Sequence, residues 1–212
     1  MPDLPISGLP AASTLDGSEL FATVQGGITK KTTLASMIYA PGSAYGLFNQ
    51  TGSGAPVTNT LTETTLIGGG VGTLTVPANG FTQGDAYVVT LTGHISSVNN
   101  HTLQIRIKAG SVLLADTGVI QMPTITNLHW SLDVNFTVNK IGAAGVASIS
   151  TGGKFLYTKN ASVAYEGVNF STENNTTFDT TTSNVLNITA QWGNTSTSDS
   201  IYTNICTLNK LY

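Results

Sequence analysis

Charge is what this sequence has least of. Its 212 residues include 8 Lys and Arg against 11 Asp and Glu, a charged share of 9% and a formal net charge of −3. Proteins that neutralise nucleic-acid phosphates do so with clustered cations, and eight spread along the chain exclude that class. Binding to an anionic membrane surface needs the same kind of cluster and falls with it. Cysteine is almost missing: Cys206 stands alone, so no intramolecular disulfide framework exists. Set in the run Ile205-Cys206-Thr207-Leu208, it reads as a small buried hydrophobe and not as a reactive thiol. No stretch approaches the ~20 apolar residues of a membrane-spanning helix, and no basic-then-apolar leader appears at the start. The expectation is synthesis in a cytoplasm with no membrane insertion. Asn135-Phe136-Thr137 and Asn187-Ile188-Thr189 then read as by-products of an Asn- and Thr-rich composition and not as glycan acceptors.

What is present favours strands. Hydrophobic residues make up 40% of the chain, enough for a packed core, and the length suits one medium domain with an appendage. Thr, Val and Ile fit a pleated, half-buried surface, while Gly, Asn and Ser supply turns. Alternation is clear in Val71–Val76, Ala86–Thr92 and Thr102–Lys108, where Leu103, Ile105 and Ile107 share one face. It is strongest in Trp130–Val138, where Trp130, Leu132, Val134, Phe136 and Val138 share a face, as one buried sheet face requires. Further strands are expected over 146–150, 154–158, 185–192 and 201–211. With no amphipathic helix and no fixed repeat, the pattern predicts an all-β sandwich, barrel or jelly roll.

The first forty residues differ. Pro2, Pro5 and Pro10 give an extended start, and two strand-like runs, Glu19–Gln25 and Ile28–Thr33, flank Gly26-Gly27, a hairpin signal. Residues 34–39 suit a single helical turn. A piece this small holds no core of its own, so residues 1–40 read as an attachment segment with Leu20, Phe21, Val24 and Ile28 as its contact residues. Residues 41–54, rich in Gly, Ser and Pro, read as a linker, and 55–212 as the main domain.

No catalytic constellation emerges. His94, His101 and His129 have no His or Cys partner at zinc-ligand spacing. His94 and His101 bracket the turn 96–100; two exposed turn residues are the simpler reading, ahead of a metal site or pH switch shared across a hairpin. His129 reads as a strand-edge residue. Asp116, Asp133 and Glu166 fall in or beside strands, and Asp85, Glu173, Asp179 and Asp199 in turns; nothing pairs them for glycoside hydrolysis. Gly68–Gly72 precedes a strand instead of opening a helix, so it is a loop and no phosphate cradle. Asn174-Asn175-Thr176-Thr177 lacks the carboxylates of a calcium loop. Exposed turns rich in amides suit recognition, which nominates Asn99, Asn100, His101, Asn174 and Asn175 as receptor contacts. No cofactor, metal or enzymatic activity is expected.

Two segments carry a resemblance. Ile6-Ser7-Gly8-Leu9-Pro10-Ala11-Ala12 followed by Leu20–Thr33, with its Val24-Gln25-Gly26-Gly27-Ile28-Thr29-Lys30-Lys31-Thr32-Thr33, resembles the N-terminal stretch of bacteriophage tail-fibre and other virion proteins. Leu74–Phe81 leading into Gly84-Asp85, with Phe178–Thr181, Leu186–Trp192 and Ser200–Leu208, resembles a trimeric viral jelly roll of the tumour-necrosis-factor-like kind. The resemblance implies a homotrimeric virion fibre or spike. Residues 1–40 would join it to other virion proteins, and the jelly-roll head would present loops to a host receptor or glycan. It carries no catalytic residue. The alternative it implies is a capsid decoration or head-fibre protein that binds the shell without a receptor role. A depolymerase acting on surface glycans is the enzyme-class rival.

Overall fold

A computed structural model describes residues 20–33, 45–159 and 164–212. The chain divides into two compact units, 1–43 and 44–212. In the first, strands β1 (Leu20–Gln25) and β2 (Ile28–Thr33) pair antiparallel around Gly26-Gly27, both at positive φ. Glycine carries no Cβ penalty there, which is why the turn closes in two residues. The helical turn expected at 34–39 lies outside the described residues.

The second unit is all-β. Its strands are β3 (Tyr45–Gln50), β4 (Val57–Thr58), β5 (Thr64–Thr65), β6 (Gly70–Gly72), β7 (Thr75–Val76), β8 (Ala86–Ser97) and β9 (Thr102–Ala109). They continue with β10 (Val112–Asp116), β11 (Ile120–Gln121), β12 (Ile125–Lys140), β13 (Ser148–Thr158), β14 (Tyr165–Asn174), β15 (Asn184–Trp192) and β16 (Ser200–Lys210). No helix occurs among the described residues. The large sheet runs β14-β13-β12-β8-β16-β3-β6, and the small sheet β10-β9-β15-β5, with short strands at their margins. Four antiparallel pairs nest inside one another along the chain: β3 with β16, β5 with β15, β8 with β12, and β9 with β10. A long hairpin folded over on itself gives this order, the jelly-roll-like form of a β-sandwich.

Two readings of the sequence change. Residues 45–50, placed in the linker, form β3: Phe48 is buried and pairs with Leu208 of β16. Scattered glycines disguised the strand. The expected single strand 71–76 is two, because Gly70–Gly72 pairs with β3 in the large sheet while Thr75–Val76 pairs with β15 in the small one. The chain changes sheets at Thr73-Leu74.

Alternation builds the core. Along β8 and β9 every second side chain points inward, including Val89, Leu91, Leu103, Ile105 and Ile107, all fully buried. Trp130, Leu132, Val134, Phe136 and Val138 of β12 meet them. Each such side chain contributes roughly 1.5–3 kcal/mol on burial. Trp130 sits opposite Gly93 in register, and its indole N–H is shared between the carbonyls of His94 and Tyr202, both at 3.1 Å. The Tyr202 carbonyl is adjacent to a bulge between Thr203 and Ile205. A Cβ on Gly93 would fall 1.9 Å from that oxygen, so glycine is what permits the approach of β16.

Buried charge closes the far end of the sandwich. Asp85, before β8, accepts hydrogen bonds from the Thr82 N–H (3.0 Å), the Tyr87 hydroxyl (2.9 Å) and Lys210 Nζ (2.8 Å). Asp85 and Lys210 are both almost fully buried, so their pairing locks the end of β16 to the start of β8.

Two measurements test these contacts. Gly93→Ala is expected to lower unfolding free energy by about 1–3 kcal/mol, the usual range for overpacking; an unchanged denaturation midpoint would refute the close-approach argument. Lys210→Met leaves Asp85 buried without its counter-charge, a change worth about 3–5 kcal/mol. Adding Asp85→Asn should restore part of that loss, and additive losses in the double variant would show that the two residues act independently.

Candidate functional site

The four contact residues nominated in the first unit lie on the ribbon of β1 and β2. Strand alternation puts Leu20, Ala22 and Val24 on one face, and Phe21, Thr23, Ile28, Lys30 and Thr32 on the other. Leu20, Phe21, Val24 and Ile28 are all exposed, at 63%, 41%, 74% and 63%. They therefore do not form one patch: the ribbon shows apolar side chains on both faces. Two strands cannot cover two faces.

The two nominated receptor turns do not meet either. Antiparallel register places Ser97 beside Ile125 and Thr137 beside Ala86, with Ile149 beside Asn174. The turn after β8 and the turn after β14 consequently lie at opposite ends of the sandwich. In the first, Asn99 and Asn100 are exposed, and Asn100 accepts a hydrogen bond from Gln121. His101 is drawn inward, its Nδ1 2.6 Å from an oxygen of the fully buried Asp199. The other oxygen of Asp199 takes the Val98 N–H at 2.9 Å, and its backbone carbonyl takes the Thr58 hydroxyl. Asp199 thus ties three segments together, and His101 belongs to that tie.

At the opposite end Asn174 organises its own turn. Its Oδ1 accepts from the N–H groups of Thr177 (3.0 Å) and Phe178 (3.1 Å), and its amide donates to the Leu113 carbonyl. The turn delivers Phe178, fully buried, against Phe81. Asn175 is left exposed beside it. Of the five nominated residues, Asn99, Asn100 and Asn175 are the ones presented to solvent.

The histidines also pair differently from the sequence expectation. β8 and β9 belong to different sheets, so His94 and His101 do not face each other across a hairpin. His94 instead stands opposite His129 in register, with ring centres 4.4 Å apart. His129 is no edge residue: it lies within β12, between β8 and β13. Nothing in local spacing marks this pair, since 35 positions separate the residues and only the sheet brings them together.

Among the described residues, five of the carboxylates are matched by basic side chains and not by other carboxylates. Lys154 lies 3.6 Å from Asp133, and Lys159 3.0 Å from Glu166. Glu173, expected in a turn, lies in β14. On the outward face of the small sheet, Glu63 receives Lys108 at 3.0 Å, the Thr189 hydroxyl at 2.7 Å and Arg106 at 3.4 Å. Arg106 also donates to Gln191 at 2.6 Å. Burial opposes ionisation of Glu63, but the hydrogen bonds from Thr189 and Lys108 and the charges of Lys108 and Arg106 outweigh it. The carboxyl is held below its ordinary range. Burial alone pushes the Cys206 thiol up to about 12, in keeping with its place in the core.

Between the sheets lies an apolar cavity of about 50 Å³, bordered by Leu47, Leu74, Phe81, Tyr87, Phe178 and Leu186 among others. No cluster of three or more potential metal ligands occurs among the described residues. Compared with protein-family models and with curated proteins, the chain matches none.

The Glu63 cluster gives a pH-dependent prediction. Its carboxylate is favoured more in the folded than in the unfolded chain, so the unfolded chain takes up the proton first as pH falls. The stabilisation is complete above the unfolded value, about 4.3, and disappears as pH falls through the lower folded value. Glu63→Gln should lower stability by up to about 1 kcal/mol at pH 7. The gap between variant and parent should close in thermal melts as pH falls below about 4.3 and on through the lower folded value. A gap that stayed constant across that window would contradict the assignment.

Proposed function

We propose that this chain is a structural virion protein, a fibre or spike subunit that attaches through residues 1–40 and displays the jelly-roll-like unit as a homotrimeric head. The observation that carries the reading is the β1–β2 ribbon. Leu20 and Val24 on one face and Phe21 and Ile28 on the other are all exposed in the single chain. An isolated ribbon of this kind is marginal in water, and covering it on both faces by neighbouring chains supplies the missing burial. Other virion proteins are the partners that fit an attachment role.

The head contributes supporting features. It is disulfide-free, five of its carboxylates (Glu63, Asp85, Asp133, Glu166 and Asp199) are paired with basic side chains, and its nominated turns expose the amides Asn99, Asn100 and Asn175, suited to contacts with a receptor or glycan. The outward face of the large sheet carries little charge: Val88, Thr90 and Thr92 from β8, and Ser131, Asn135 and Thr137 from β12, with the Asp133–Lys154 pair among them. Ile205 projects there at 53% exposure. Covering such a face with another copy desolvates mainly hydroxyls and methyl groups, which costs far less than burying ions.

The full chain is expected to sediment as a trimer; a monomer at micromolar concentration would remove the trimer from the proposal. Leu20→Asp with Val24→Asp should abolish incorporation into particles while leaving the head assembled, and normal incorporation would refute the attachment role. Adsorption of the purified protein to host cells supports a fibre or spike. Binding to capsids alone would make it a decoration protein, and release of reducing ends from host polysaccharide would make it an enzyme.

A further inference from the structure

The paired histidines on the large sheet are the feature that none of these roles uses. His94 and His129 are directly opposite on neighbouring strands, and their side chains point away from the core: His94 is half-buried and His129 exposed. The His94 ring is held on three sides. Tyr202 stacks on it at 5.6 Å and 21°, His129 lies at 4.4 Å and 46°, and its Nδ1 is 2.8 Å from Asn204 Oδ1. Asn204 is itself oriented, because its amide nitrogen donates to Ser53 Oγ at 3.0 Å. Its carbonyl oxygen is thereby left facing His94 and can only accept. In the tautomer that carries its proton on Nδ1, His94 donates to that oxygen and keeps the lone pair on Nε2.

We infer that His94 and His129 form a bis-imidazole site for a divalent transition-metal cation, with Asn204 as the positioning residue. Imidazole is a ligand of choice for copper, nickel and zinc. A metal-binding histidine characteristically donates its second ring N–H to an oxygen acceptor, which fixes both tautomer and orientation; Asn204 fills that place for His94. His129 makes no hydrogen bond among the described residues, so its ring nitrogens are open. The spacing also agrees. With nitrogen ligands at about 2.0–2.1 Å and about 1.1 Å more to each ring centre, two imidazoles at 90–109° around one ion place their centres about 4.4–5.2 Å apart. The observed 4.4 Å lies at the right-angle end of that range. No third His, Cys, Asp or Glu joins the pair among the described residues.

The experiment is a calorimetric titration of the full chain with CuCl₂, NiCl₂ and ZnCl₂, each repeated after EDTA treatment. One ion per chain is expected, with Cu²⁺ bound more tightly than either Ni²⁺ or Zn²⁺. His94→Ala and His129→Ala should each weaken Cu²⁺ binding at least about tenfold, and Asn204→Ala by about 10–100-fold with stoichiometry unchanged. Cu²⁺ should broaden the ring proton resonances of His94 and His129 at substoichiometric levels and spare those of His101, whose Nδ1 is occupied by Asp199. Because His129 is exposed, His129→Gln serves as a folded control should a His94 variant fail to fold. Equal binding by parent and His129 variants, or selective broadening of His101, would overturn the site. Absence of saturable binding would do the same.

Discussion

A single apolar layer holds the two sheets together, and no covalent bond assists it. Alternate residues of β8 and β12 from one side meet those of β9 and β15 from the other. Because a strand shows its side chains to opposite faces in turn, filling this layer dictates where nearly everything else goes. Thr, Ser, Asn and the histidines are mostly driven outward, and the long strands turn back at the two ends of the sandwich. At those ends the layer would be open to water. Phe178 closes one and Trp192, whose indole N–H donates to the Val57 carbonyl at 2.9 Å, closes the other. The backbone that carries such plugs must be anchored, and buried carboxylates do the anchoring: Asp85 beside Lys210 at one end, Asp199 beside His101 at the other. Both are polar groups placed where strands leave the layer, and both are fully partnered, as low-dielectric surroundings demand.

How much of this could be read from sequence depended on whether a residue's role was local. Leu103, Ile105 and Ile107, and the run from Trp130 to Val138, announce their buried face by period alone, and the structure buries each of them. β14 gave no such signal. It is the edge of the large sheet, and of its ten residues only Val168 and Phe170 are bulky apolar groups packed against the core. β13 was foreseen as two strands because Gly152-Gly153 interrupts the pattern. Its ladder with β12 nevertheless runs straight through, since strand pairing needs backbone and not side chains. Strand partners were out of reach altogether. Whether β8 pairs with the strand that follows it or with β12 and β16 decides which histidine His94 meets, and that choice is made by the nesting of the whole fold. For the same reason, Asn99–His101 and Asn174–Asn175 looked equivalent as turns but belong to opposite ends.

The two outward faces differ in what it costs to cover them. The small sheet shows Glu63, Arg106 and Lys108 joined through Thr189 and Gln191. These groups satisfy one another while water still reaches them, and a partner laid over them would have to replace that hydration with equally good contacts or lose several kcal/mol per ion. The large sheet asks for less. Its hydroxyls can turn to meet a new acceptor, its methyl groups gain from burial, and Ile205 gains most. Association of like chains should accordingly use the large-sheet face, provided that the rung of Tyr202, His94 and His129 at one end of it is accommodated. Imidazoles so close to one another are awkward to bury bare, because at least one ring nitrogen on each must find a partner. A bound cation would meet that need for both rings, and so would a hydrogen-bond donor from the covering chain. The occupancy of this rung is therefore what links the proposed assembly to the proposed metal site.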